Sequence, residues 1–191
     1  MKKVFFALLC CLAMFATAQT KFISETVNAY SKADLAKSDG KLLPTTQVEV
    51  LEVKGNKAKV KLSGWMQDGV GSMLYYAKGE RIIMAAFAKK STLDTKVLKT
   101  EKDSEGKTDW NAADVVMWID NKNMVDSIEP LFAKAKSLLE EQCGLCHTYH
   151  PTEEFYANQW PATIKGMKDR TSLTTEEMWL VTEYAQKHAR K

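Results

Sequence analysis

The chain has 191 residues, with 27 lysine and arginine side chains against 24 aspartate and glutamate side chains, and its formal net charge is +3. This small excess does not supply the concentrated positive charge that binding to a nucleic acid or to an anionic membrane surface requires. We therefore expect no nucleic-acid partner. The length permits one domain of ordinary size or two small ones.

Residues 1–18 have the composition of a secretory signal peptide. Lys2 and Lys3 supply a basic start, residues 4–15 are mostly apolar, and residues 16–18 read Ala-Thr-Ala, which is typical of a cleavage site. The apolar run is shorter than the roughly 20 residues that a membrane-spanning helix needs. We expect cleavage after Ala18, which would leave no membrane span. An uncleaved anchor is the alternative interpretation.

Residues 19–125 are predicted to form a β-rich domain. A run of alternating residues continues from Ala58 to Leu62, and Gly55-Asn56 before it indicates a hairpin turn. A further strand is predicted at residues 81–87, and a second hairpin with an exposed tip follows between residues 95 and 119. Residues 24–88 resemble a bacterial SH3-like module, on the following segments: Leu42-Leu43-Pro44-Thr45, Val48-Glu-Val-Leu, Ala58-Lys-Val-Lys-Leu and Gly64-Trp65. We expect a small SH3-like β-barrel with an extra hairpin.

The segment Cys143-Gly-Leu-Cys146-His147 has the spacing of a covalent haem c attachment motif. Two cysteines separated by two residues can form thioethers with the two vinyl groups of one haem, and the histidine that follows binds the iron. A redox dithiol and half of a zinc site are the alternatives. No second cysteine pair completes a zinc site, and no predicted strand precedes the motif as in a thioredoxin-like unit. We predict one covalent haem c, bound by Cys143 and Cys146, with His147 as the proximal iron ligand.

Residues 126–191 are predicted to be a small all-α monohaem domain, so the expected fold class is α+β. Pro130 suits the first turn of a helix that carries an apolar stripe into Cys143, and the Thr174–Glu177 segment matches a capping box that opens the last helix.

The distal iron ligand is predicted to be Met167. Nineteen residues separate it from His147, which is a sufficient tether to reach the opposite face of the haem. Trp160, Ile164 and Met167 also fall on one apolar helix face. Met178, on the apolar stripe of the last helix, is the alternative, and ligation by a histidine or an open iron position also remains. His150 lies too close to His147 in the chain to reach the opposite face.

The C-terminal segments resemble the monohaem region of the cytochrome c subunits of trimethylamine-N-oxide reductase systems. The resemblance is carried by Cys143-Gly-Leu-Cys-His-Thr-Tyr-His-Pro, Phe155-Tyr-Ala-Asn-Gln-Trp-Pro-Ala-Thr-Ile-Lys-Gly-Met167, Leu173-Thr-Thr-Glu-Glu and Tyr184. It implies an electron-transfer protein of the bacterial periplasm, rather than an enzyme, whose partner is a molybdopterin N-oxide or S-oxide reductase. Many such subunits also carry a membrane-anchored multihaem domain that oxidises quinol. This sequence has one haem motif, so we expect its electrons to come from another cytochrome or a quinol-oxidising complex.

Three other functions remain open at this point. A general periplasmic electron carrier would have the same haem site with a different acceptor. A haem enzyme or gas sensor needs an open iron position and distal acid and base groups, and only His150 and His188 follow the motif as histidines. A binding module with a structural haem would use the SH3-like region.

Overall fold

The computed structural model describes residues 19–145 and 148–191. The predicted signal peptide lies outside the described residues. Within these residues, ten strands precede three helices, with these bounds: β1 (Gln19–Ile23), β2 (Val27–Tyr30), β3 (Gly40–Leu42), β4 (Gln47–Lys54), β5 (Lys57–Gln67), β6 (Met73–Ala77), β7 (Glu80–Phe87), β8 (Asp94–Lys102), β9 (Asp109–Asp120), β10 (Met124–Val125), α1 (Glu129–Cys143), α2 (Trp160–Gly166) and α3 (Thr175–Lys187). Two short 3₁₀ turns cover Thr152–Glu154 and Lys168–Arg170.

The ten strands form one sheet in the order β10-β1-β4-β5-β6-β7-β3-β2-β9-β8. The long strand β5 pairs a second time, with β9, so that the strands from β5 round to β9 form a closed ring. This second pairing is antiparallel and extends from Lys57 opposite Asp120 to Gln67 opposite Trp110. β5 and β9 therefore hold the sheet together.

The hairpin predicted at Gly55-Asn56 is confirmed. Lys54 and Lys57 are paired across it, and Gly55 has a φ of 59°, a conformation that favours glycine. Along β5 the alternate residues Ala58, Val60 and Leu62 are buried, as their period of two predicts.

The second predicted hairpin, β8–β9, is also present. The buried residues of β9 join those of β5 in one apolar cluster, which includes Leu62, Val115, Met117 and Ile119. This cluster draws all its members from residues 23–124.

The predicted fold class was wrong. We expected a small SH3-like barrel followed by a separate all-α domain, but most of the described residues with regular secondary structure belong to a single ten-stranded sheet, and α3 contacts its strand β7. The physical reason is the partner of β9. We treated its hairpin as an addition to a small barrel, whereas β9 pairs with β2, β5 and β8.

The three helices surround a second apolar cluster. It contains Leu139 of α1, Trp160 and Ile164 of α2, and Val181 and Ala185 of α3. As predicted, α1 has a proline in its first turn, and α3 begins with a capping box. Within the described ranges, no helix is both long and apolar enough to cross a membrane.

Polar contacts attach the helical region to the sheet. The Asn158 side chain accepts a hydrogen bond from the Arg81 N–H (2.6 Å) and donates one to the Gly79 carbonyl (3.0 Å). The Gln186 amide donates to the carbonyls of Arg81 (3.3 Å) and Ala157 (3.0 Å). Because hydrogen bonds are directional, these contacts set the orientation of α3 on the sheet.

A buried ion pair on α3 lies at the same junction. Lys187 is 3.6 Å from the Glu183 carboxylate, and its Nζ donates to the backbone oxygen (3.1 Å) and the hydroxyl (2.6 Å) of Thr45. Thr45 has a φ of 63°. The side chain of Glu183 is 2 % exposed, and its Oε2 makes no hydrogen bond. Burial raises the pKa of Glu183 to about 7, although the positive charge of Lys187 opposes this shift.

We predict that Glu183 makes folding stability decline with rising pH. Its pKa in the folded state, about 7, exceeds the ordinary value of 4.5, so its contribution to stability is fully present below about 4.5 and is lost as the pH rises through 7. In Glu183→Gln, urea unfolding at a series of pH values should show this decline flattened. The matched control is Glu141→Gln, which changes an exposed side chain on α1 and should keep the wild-type slope. An unchanged slope in Glu183→Gln would contradict the prediction.

Candidate functional site

Cys143 is the last residue of α1 and lines a cleft between the helices. The buried residues Ala135 and Leu139 fix the rotation of α1 about its axis and direct Cys143 towards the helical cluster. The Gly144 N–H donates to the Glu140 carbonyl (3.1 Å), and a Cβ at Gly144 would collide with that oxygen. The chain therefore needs glycine immediately after Cys143. Burial raises the pKa of the Cys143 thiol, which keeps the thiol protonated at neutral pH.

Cys146 and His147 lie outside the described residues. Their roles as second haem attachment site and proximal iron ligand remain predictions from the sequence.

The cleft beside Cys143 is mostly apolar. Its empty volume, which includes space open to solvent, is about 810 Å³. The residues that line it come from all three helices and from the segments between them: Leu139, Gln142, Cys143, His150, Trp160, Thr163, Ile164, Met167, Arg170, Thr171, Leu173, Met178 and Val181.

Trp160 anchors the wall of the cleft formed by α2. It is 2 % exposed, and its indole N–H donates to the Thr152 carbonyl (3.0 Å). Phe155 packs edge-on against its ring, with centroids 5.2 Å apart. The hydrogen bond satisfies the only polar group of the buried side chain, so α2 is held at a fixed position.

Both methionine candidates for the distal ligand line this cleft together with Cys143. Met167 follows directly after α2, its N–H donates to the Ile164 carbonyl (3.0 Å), and it is 36 % exposed. Met178 lies on α3 and packs against the helical cluster. The predicted apolar face of α2 is present, because Trp160 and Ile164 are buried. The choice between Met167 and Met178 remains a prediction.

The two histidines that follow the motif occupy different places. His150 lines the cleft, where its Nδ1 lies 2.8 Å from the Glu154 carboxylate. His188 packs between the rings of Phe132 and Tyr184, at centroid distances of 4.8 and 4.3 Å, and lines a separate cleft between the helices and the sheet.

Sequence reasoning missed three polar residues of the cleft, Gln142, Arg170 and Thr171. No periodic pattern or motif marks them. It also missed the Glu183–Lys187 pair, because charges at this spacing usually lie on an exposed helix face.

A family model described as the TorC third cytochrome c domain matches residues 15–124. The match covers β1 to β9, ends within β10 and does not reach α1. The chain is also 28% identical over 178 residues to the cytochrome c-type protein TorY of Haemophilus influenzae, covering 93% of this chain and 46% of the relative. It is 30% identical over 153 residues to the cytochrome c-type protein TorC of Escherichia coli K12, covering 80% of this chain and 39% of the relative. The chain thus spans less than half the length of these curated relatives. No solved structure gives a significant match.

We predict that Met167→Ala removes the spectroscopic signature of methionine–iron ligation from the haem-loaded protein, because this side chain combines a suitable tether with a position in the cleft. Reduced absorption spectra and the shifted methyl resonances of the ligand in NMR report this ligation. Met178→Ala is the matched control and should keep the signature. The opposite result would assign the ligand to Met178.

Proposed function

Because the chain belongs to the family of the TorC third cytochrome c domain, we propose that it is a periplasmic cytochrome c that passes electrons to a molybdopterin N-oxide or S-oxide reductase. The observation that carries the proposal is the position of Cys143, the first residue of a Cys-x-x-Cys-His motif, in an apolar cleft with two methionines.

The described residues fit a haem. The cleft is mostly apolar, and no aspartate or glutamate is among the described residues that line it. Cys143 is half-buried and faces it, as covalent attachment requires. When bound, the haem would supply an iron that takes up and releases one electron.

Each part of the site has a separate task in this proposal. Cys143 and Cys146 hold a single haem through thioether bonds, while His147 and Met167 bind the iron, with Met178 as the alternative distal ligand. Ligation by histidine and methionine favours a higher reduction potential than ligation by two histidines. Trp160, Ile164 and Val181 exclude water from the cleft, which preserves a low dielectric around the iron.

The donor and the route of export belong to the same proposal. Residues 1–18 direct export, and electrons arrive from another cytochrome or from a quinol-oxidising complex. Residues 19–125 bind the reductase, and residues 126–191 bind the haem.

The first test is covalent haem attachment. The exported protein should gain the mass of one haem in intact mass spectrometry and stain for haem peroxidase activity on a denaturing gel. Cys143→Ala should lose the doubly attached product because one thioether cannot form. Leu145→Ala, which changes a 76 % exposed residue between the two cysteines, should retain it. A wild-type protein without haem would overturn the assignment.

The second test is electron transfer. Reduced cytochrome mixed with the purified reductase in a stopped-flow instrument should become oxidised only when trimethylamine N-oxide or a sulfoxide is present. Omitting the acceptor is the control. No acceptor-dependent oxidation, together with unchanged N-oxide and S-oxide respiration in a deletion strain, would favour a general periplasmic carrier.

A further inference from the structure

Arg170 is the only residue with a permanent charge among those described as lining the cleft. It ends the 3₁₀ turn Lys168–Arg170, and its N–H donates to the carbonyl of Met167 (2.9 Å). The backbone of Arg170 is therefore fixed relative to the residue that we expect to bind the iron. Within the described ranges its guanidinium makes no hydrogen bond or ion pair, so its five N–H donors are available to a ligand.

Gln142, near the end of α1, supplies a second donor to the cleft. The Ser172 hydroxyl (2.9 Å) and the Ser172 N–H (3.3 Å) both donate to Gln142 Oε1. These bonds fix the side-chain amide in one orientation. Its NH₂ group makes no hydrogen bond with any described protein group, so it can donate to a ligand. The neighbouring Thr171 hydroxyl already donates to the Lys168 carbonyl (3.3 Å).

The ligand that fits this arrangement is a large apolar group with acidic substituents. The cleft is lined mostly by apolar side chains and includes two groups that only donate, but no carboxylate among the lining residues. Arginine pairs with carboxylates through two parallel hydrogen bonds. We propose that Arg170, assisted by Gln142, binds the propionate carboxylates of the haem and sets the orientation and the reduction potential of the haem. This inference rests on the proposed function.

The charge of Arg170 has a measurable consequence. A nearby guanidinium favours the ionised form of a carboxylate, so Arg170 should keep both propionates ionised across neutral pH. Without it, a propionate should take up a proton within that range. Protonation removes a negative charge near the iron and raises the reduction potential, so the potential of the variant should fall as the pH rises.

The experiment is a spectroscopic redox titration of the haem-loaded protein from about pH 5 to about pH 8. In the wild type, the midpoint potential should be nearly independent of pH. In Arg170→Gln, the pKa of a propionate should move into this pH range, and the midpoint potential at the alkaline end of the range should be lower than in the wild type. Gln142→Leu should produce a smaller shift in the same direction, and Arg170→Lys should restore most of the wild-type profile.

Lys168→Gln is the matched control. It removes the same charge from the same 3₁₀ turn, but the side chain does not line the cleft. It should leave the pH profile unchanged. Identical profiles for Arg170→Gln and Lys168→Gln in a protein with covalent haem would overturn the role of Arg170 and leave the proposed function intact. Absence of covalent haem from the wild type, shown by its mass, would overturn both.

Discussion

The antiparallel pairing of β5 with β9 is the constraint on which the fold depends. The two strands are paired along the full length of β5, although a chain segment with three other strands separates them. Pairing of residues so distant in sequence must offset a large loss of chain entropy, and the burial of both strands in one apolar cluster provides the compensating free energy. The local hairpins β4–β5 and β8–β9 reduce that loss, because each already brings one of the two strands into an ordered unit.

The position of the helical region depends on interactions of a different kind. The apolar clusters of the sheet and of the helices have no member in common. Side chains such as Asn158, Gln186 and Lys187 connect the two regions through hydrogen bonds. Apolar contact is non-directional, whereas these bonds specify one orientation. The same helix that carries Gln186 and Lys187 contributes Met178 and Val181 to the cleft. The shape of the cleft is therefore linked to the attachment of α3 to the sheet.

The sequence predicted the local features of the fold well. The structure contains the three predicted local features: the alternation from Ala58 to Leu62, the turn at Gly55 and the capping box at Thr174. The coarser part of the family resemblance, a TorC-like cytochrome c, is confirmed by the match to the TorC domain model and by the TorY and TorC relatives, and the single haem stays a prediction. The single ten-stranded sheet was not predicted, because an alternating pattern indicates which side of a strand is buried but does not identify the strand with which it pairs.

In the candidate site, too, residues that belong to one local pattern were predicted, and residues that come from separate segments were not. The Cys-x-x-Cys-His motif and the stripe from Trp160 to Met167 are local patterns, and the residues that the structure describes do share one cleft. Arg170 and Gln142 come close to this cleft only through the packing of separate segments, so no spacing rule reveals them. The prediction of a cap on the last helix is confirmed, and it was possible because a capping box is complete within four residues.

The composition of the sheet core has a consequence for the order of biosynthesis. Every member of that core lies between Ile23 and Met124, in the strand region that precedes the helices. Under the proposed function, the strands can pair as the chain emerges from its N-terminal end, while the segment around Cys143 is still accessible to the machinery that forms thioether bonds. Attachment of the haem would then complete only the smaller cluster around Trp160, on a scaffold that is already in place.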